Sequence, residues 1–304
     1  MKKRIITAII AIAYAVLNFI FMKNSPILIV SLAIFVAIEM SELMNVIGIK
    51  SKSIRIPTMV YGALMPIMMT LDNWNYSYMP SFDFKNNFTF AGLFKIITIV
   101  YVLFILIALL KHYDNYRFET VATVIFGALC ISFSMTCLGK LSQICWEYKG
   151  IFSYGDSLFL LIYSLYVCWV FDGGAYFVGS KLGKRRMAPK ISPKKSWEGY
   201  WGGIIVVEAL APLFLFLFNL LSGANGTVMF GGSKGYIFIL IASPLLATLS
   251  ILGDLSASTI KRNFGAKDFG NFFPGHGGIL DRFDSVLYVT PIIYGVVIVI
   301  TMFK

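Results

Sequence analysis

The chain is poor in charge and poorest in acids. Of its 304 residues 13% are charged, with 15 Asp and Glu against 26 Lys and Arg, and it has only 2 His and 4 Cys. So little charge excludes a domain solvated on every side. A hydrophobic content of 58%, in runs too long and too frequent for soluble core helices, points to an integral membrane protein. The scarcity of His, and cysteines without C-x-x-C spacing, disfavour zinc. Cys130, Cys137, Cys145 and Cys168 read as small hydrophobes in packed helices. Nothing resembles a nucleic-acid recognition module, so the net charge of +11 is no sign of one and no nucleic-acid partner is expected. No linker or repeat divides the chain.

What is present is a series of apolar segments. A span needs about 20 mainly apolar residues at about 1.5 Å each. Windows of that size predict nine, near 5–22, 27–43, 56–71, 91–110, 120–138, 158–178, 200–221, 236–257 and 285–303. The opening MKKR precedes a long apolar run with its Ala-x-Ala triplets in the middle, and is read as part of a retained first helix rather than a cleaved signal. The expected fold is all-α, a polytopic transmembrane helical bundle. With the N-terminus cytoplasmic, nineteen of the 26 Lys and Arg fall on that side. The expected topology is therefore N-in/C-out. A single integral membrane domain over 1–304 is expected: 1–150 forms mainly the N-terminal spans, and 151–304 is a more polar half with two cytoplasmic segments, 179–199 and 261–284.

Three stretches in that half carry chemistry. In ILGDLSASTIKR (251–262), Asp254, Ser258, Lys261 and Arg262 follow i, i+4, i+7 and i+8 and share one helix face. An aspartate central in a span costs about 2.5 to 3.5 kcal/mol, so it should face protein, water or a cation. Two readings stand: a functional acid, or an internal salt bridge to a lysine.

In FPGHGGILDRFDS (273–285), Asp281 and Asp284 at i, i+3 project from one face. That suits a hard cation such as Mg2+, which uses one or two carboxylates and completes its shell with water and phosphate; helix capping would use the same residues. Gly275, Gly277 and Gly278 around His276 allow backbone N–H groups close to a phosphate, or simply form a tight turn.

In VFDGGAYFVGSKLGKRRMAPKISPKKSWEGYWGG (170–203), Asp172-Gly173-Gly174 is expected to break or loosen the end of the sixth span. Lys181, Lys184, Arg185, Arg186, Lys190, Lys194 and Lys195 create a positive field, whether for function, positive-inside bias or anionic headgroups. Pro189 and Pro193 predict a shaped loop. Elsewhere, Glu39, Glu42 and Glu208 are read as interhelical hydrogen-bond partners ahead of supporting groups of the site, and His112 as solvated.

Ser258-Thr-Ile-Lys261-Arg262, then Lys267-Asp268-Phe-Gly270, then Pro274-Gly-His276-Gly277-Gly278-Ile-Leu-Asp281-Arg282-Phe-Asp284 resembles the signature of the phosphatidate cytidylyltransferase (CDP-diacylglycerol synthase) family. Asp172-Gly-Gly-Ala-Tyr and Ser192-Pro-Lys-Lys-Ser-Trp-Glu-Gly are similar to it too. The family often has an acid where Ala257 stands and Thr where Ser196 stands; the second change keeps the hydroxyl.

The resemblance implies the reaction of CTP with phosphatidic acid to give CDP-diacylglycerol and pyrophosphate, on the cytoplasmic side of a bacterial-type inner (plasma) membrane. It implies Asp254 and Asp281 as ligands of one metal centre holding Mg2+, beside a second cation such as K+, and a homodimer. Catalytic roles then fall to Asp254, Asp281, Asp284, Lys261, Arg262, His276 and Arg282, with Asp284 binding or orienting the metal. Substrate binding falls to Ser258, Lys267, Asp268, Gly275, Gly277, Gly278, Asp172, Lys181, Ser192, Lys194 and Lys195.

The chemistry wants such residues. The nucleophile is already an anion, so no strong base is needed. The difficulty is bringing a phosphomonoester near about −2 to a triphosphate near about −4, which cations must hold together. Two rivals remain. One is a related CTP-dependent enzyme, acting on another lipid phosphate or as a lipid kinase. The other is a transporter with acids spread across the bilayer; clustering of the acids in the cytoplasmic half favours catalysis.

Overall fold

The computed structural model describes residues 13–14, 16–18, 26–78, 90–222, 226–273 and 277–303. Among these, seven helices are long and apolar enough to cross a membrane. They are α1 (Ile27–Ile47), α2 (Lys52–Tyr78), α3 (Phe90–Lys111), α4 (Phe118–Leu141), α6 (Tyr154–Leu182), α7 (Trp197–Ser222) and α8 (Gly232–Asn263). Single turns form α5 (Ile144–Glu147) and α9 (Leu280–Phe283), and α10 (Val286–Met302) closes the described chain. Among the described residues the count is seven against the nine expected: the expected segment 5–22 lies largely outside the described residues, and α10, though apolar, has only 17 residues.

Local chemistry caps several of these helices. Gly48 takes φ +84° after α1, and Ile49 N–H reaches back to Met44 O at 2.9 Å, the arrangement that a left-handed glycine permits at a helix terminus. Ser153 starts α6 with a capping box to Asp156. Ser196 Oγ accepts from Gly199 N–H at 3.1 Å at the start of α7.

The loop stiffened by Pro189 and Pro193 is a hairpin, β1 (Arg186–Ala188) antiparallel to β2 (Ser192–Ser196). Glu198 secures its base by accepting the backbone N–H groups of Lys184 and Arg185 at 3.0 to 3.2 Å.

One expectation fails here. Asp172-Gly173-Gly174 does not break its helix; α6 runs on to Leu182. A Cβ on Gly174 would lie 2.9 Å from Val206 Cβ and 3.3 Å from Gly203 Cα. The glycine therefore serves close packing of α6 against α7, which a continuous helix satisfies without loss of hydrogen bonds.

The chain forms two compact units. The first comprises Met1–Lys140 and Phe264–Phe283. Arg55 fastens its α1–α2 turn, donating to Asn45 Oδ1 at 2.8 Å, Ile49 O at 2.9 Å and Ser41 Oγ at 3.0 Å. His112 is not merely solvated: its Nε2 lies 3.1 Å from Ser53 Oγ and 3.3 Å from Ser51 Oγ. Tyr61 and Tyr101 stack with centroids 4.1 Å apart, joining α2 to α3.

The second unit comprises Leu141–Asn263 and Asp284–Lys304. Its core holds Phe159, Tyr163 and Phe171, all fully buried, and Tyr163 reaches Ser243 Oγ across to α8 at 2.7 Å. Buried Asp156 accepts from Ser153 N–H and Oγ–H, and from the N–H groups of Val228, Met229 and Phe230, all within 2.8 to 3.2 Å. This acid ties the start of α6 to the turn preceding α8.

Candidate active site

In the second unit, α6, α8 and the start of the last helix bring carboxylates together. Gly253 makes this possible: a Cβ there would meet Asp284 O at 2.6 Å, so the turn at Asp284 lies directly on α8 beside Asp254. Asp284 is only 7% exposed and accepts its neighbour's N–H, from Ser285, at 2.8 Å. Ser285 Oγ in turn donates to Asp172 Oδ2 at 3.4 Å.

Burial pushes the Asp284 carboxyl up to about 8; the negative charges of Asp254 and Asp172 add to the rise, and the Lys261 ammonium and the Ser285 N–H oppose it. Lys261 is itself 7% exposed. Three carboxylates and a buried lysine thus share this part of the second unit.

Of the two readings of Asp254, the internal salt bridge is present. Lys195 of β2 places Nζ 2.5 Å from Asp254 Oδ2, both side chains being partly exposed. Ser258 Oγ donates to Asp254 Oδ1 at 3.2 Å, as the i, i+4 spacing predicted. Arg262, one position past buried Lys261, turns outward and donates from Nε to Ile191 O, next to Ser192. Lys181 and Lys194 are exposed, and Lys181 Nζ stands 4.1 Å above the Phe177 ring.

In the first unit the structure assembles the rest of the signature. Asp281 Oδ2 accepts from Phe269 N–H at 2.8 Å and Gly278 N–H at 3.0 Å, clasping the two arms of the 269–281 loop. Phe273 N–H donates to Gly277 O at 2.9 Å, and Gly277 has φ +87°, a conformation that favours glycine. Lys267, Asp268 and Arg282 are exposed on the same segment. Gly275 and His276 lie outside the described residues.

Glu42 is the residue that sequence reasoning misjudged. Its partners are not another span but this loop: Oε1 accepts from Ile279 N–H at 3.1 Å and Oε2 from Leu280 N–H at 2.9 Å. The available signal was an ionisable residue inside a nearly uncharged span, which points to a site by default. Among the described residues, no group of three or more His, Cys, Asp and Glu forms a metal cage.

These features define a multi-span helical membrane protein whose polar half holds buried carboxylates among basic side chains. The cytidylyltransferase family model matches residues 2–300, and the chain belongs to that family. It is similar to the phosphatidate cytidylyltransferase of Bacillus subtilis (strain 168), 32% identical over 299 residues that cover 97% of this chain and 96% of that one. The enzymes of the same name from Haemophilus influenzae and Staphylococcus haemolyticus match over shorter stretches. The first is 43% identical over 134 residues, 44% of each chain. The second is 39% identical over 140 residues, 45% of this chain and 48% of its own. The resemblance to phosphatidate cytidylyltransferases drawn from the signature is borne out.

Proposed function

We propose that this protein transfers the cytidylyl group of CTP to phosphatidate. A phosphate oxygen of phosphatidate attacks the α-phosphorus of CTP. The bond from that phosphorus to the bridging oxygen breaks, and pyrophosphate leaves with the electron pair. The observation that carries the reading is the match to the Bacillus subtilis phosphatidate cytidylyltransferase along nearly the whole of both chains.

Within this reading Lys261, Arg262, Arg282 and Lys195 bind phosphate oxygens, and Asp281 holds Phe269 and Gly278 of the signature loop together. The Lys and Arg distribution supports placing the N-terminus and this chemistry on the cytoplasmic side of a bacterial-type plasma membrane. The reading also carries a monovalent cation such as K+ and a homodimer.

Mg2+ is the group that the family implies, and the residues present fit it. Asp284 is buried, and the charges of Asp254 and Asp172 lie close enough to raise its pKa, so a carboxyl that costs free energy to ionise there would gain from a cation. A hard cation needs only one or two carboxylates from the protein. Asp254 and Asp284 would hold it; for Asp281 a ligand role is what the family resemblance implies. Bound there, Mg2+ would neutralise charge on the phosphates and on departing pyrophosphate.

The test is to purify the protein in detergent and supply labelled CTP, Mg2+ and phosphatidate. CDP-diacylglycerol formed only when all three are present supports the reading; no CDP-lipid under any cation condition overturns it.

A further inference from the structure

We infer that Glu42 is a positioning residue for the signature loop, acting from α1 through the backbone rather than on substrate. This rests on the proposed cytidylyl transfer for its kinetic consequence, and on geometry alone for its structural one. Glu42 is 5% exposed and divides its two carboxylate oxygens between consecutive amides, Ile279 and Leu280, which open the single turn α9. Those N–H groups have no partner within a helix of one turn, so a carboxylate is a strong substitute.

The neighbouring glycines are shaped around it. A Cβ on Gly278 or on Gly270 would overlap the Glu42 carboxylate. Two of the signature's glycines thus have a packing reason in a side chain more than two hundred positions earlier. On the other side Asp281, one residue past Leu280, clasps Phe269 and Gly278. Glu42 and Asp281 therefore grip the loop from opposite ends: the first sets where α9 begins, and so where Asp281 and Arg282 project. Phe283, at the end of the same turn, rests against Phe35 of α1 with centroids 5.9 Å apart, a second hold on the turn from the helix that carries Glu42.

The experiment compares Glu42→Ala and Glu42→Gln with the unaltered protein in detergent, by amide hydrogen exchange resolved over 264–283 and by steady-state kinetics. In Glu42→Ala, exchange at Ile279 and Leu280 should be about tenfold faster or more, with exchange elsewhere in α1 and α4 unchanged. Its kcat should fall about tenfold or more while the KM for CTP moves less than about threefold, because the loop is displaced and no substrate contact is removed.

Glu42→Gln keeps one carbonyl acceptor and should lie between the two in both readouts; it carries the test if the alanine variant does not fold. Unchanged exchange at Ile279 and Leu280 overturns the inference. So does an equal rise across α1 and α4, which would make Glu42 an ordinary structural residue. Faster loop exchange with normal kcat overturns the positioning role. If the unaltered protein makes no CDP-lipid, the functional reading fails, yet the exchange comparison still decides whether Glu42 holds the loop.

Discussion

Lys195 of the β-hairpin and Asp254 of α8 form an ion pair at 2.5 Å. The adjacent Lys194 is exposed. Two lysines that look equivalent in sequence therefore have different surroundings, and their variants should separate. Lys195→Ala leaves Asp254 in a cluster already rich in carboxylate, and kcat/KM for CTP should fall about tenfold or more, a loss of about 1.4 kcal/mol. Lys194→Ala removes an exposed charge and should change the same ratio by no more than about threefold. Steady-state assays with CTP as the varied substrate check this; equal effects would contradict it.

Asp254→Asn and Asp281→Asn keep size and one carbonyl acceptor, so the Ser258 bond and the clasp on Phe269 and Gly278 can persist. Each should nevertheless lower turnover by about a hundredfold or more, since the charge that would hold a cation is gone. Thermal melting in detergent should stay close to that of the unaltered protein. Near-normal rates in either variant would contradict its role as a ligand.

Asp284 makes stability depend on pH in the direction opposite to an ordinary paired acid. Its pKa is raised to about 8, chiefly by burial and the Asp254 charge, whereas in the unfolded chain it should lie near about 4. The folded state thus retains a proton that the unfolded state releases. The resulting stabilisation is complete below about pH 4 and is lost as pH rises through about 8. Melting temperatures of protein stripped of divalent cations should fall from about pH 5 to about pH 9, and Asp284→Asn should flatten that slope. A slope identical in both proteins would contradict the assignment.

Asp156 predicts a purely structural effect. Asp156→Ala removes the acceptor for four backbone N–H groups and the Ser153 hydroxyl. It should cost on the order of 3 kcal/mol or more, because the stranded amides lie in a region where the acid itself was fully buried. Melting should drop markedly, and CTP affinity of the fraction that remains folded should be unchanged.

Several of these features were legible in the chain, and the pattern of success has a physical cause. Spans are legible because length and apolarity are local properties, which is why α1 to α4 and α6 to α8 fall where windows placed them. The Asp254 and Ser258 contact is legible because helix geometry relates residues four apart. The continuity of α6 was not, since the meaning of Gly174 depends on Val206 and Gly203 of another helix. Glu42 was misread for the same reason: its partners are the distant Ile279 and Leu280, and no local pattern encodes that distance. The signature marked the 258–284 segment, but not that its middle, 264–283, would join the first unit or that Asp281 would be bound into its own loop.

The central claim is that the α-phosphorus of CTP moves to the lipid. The direct measurement supplies phosphatidate and Mg2+ with CTP labelled on either its α- or its γ-phosphorus, then separates lipid from aqueous products. Cytidylyl transfer predicts the α-label in the lipid and the γ-label in pyrophosphate. A γ-label recovered in the lipid would mean a CTP-dependent kinase and would contradict the account.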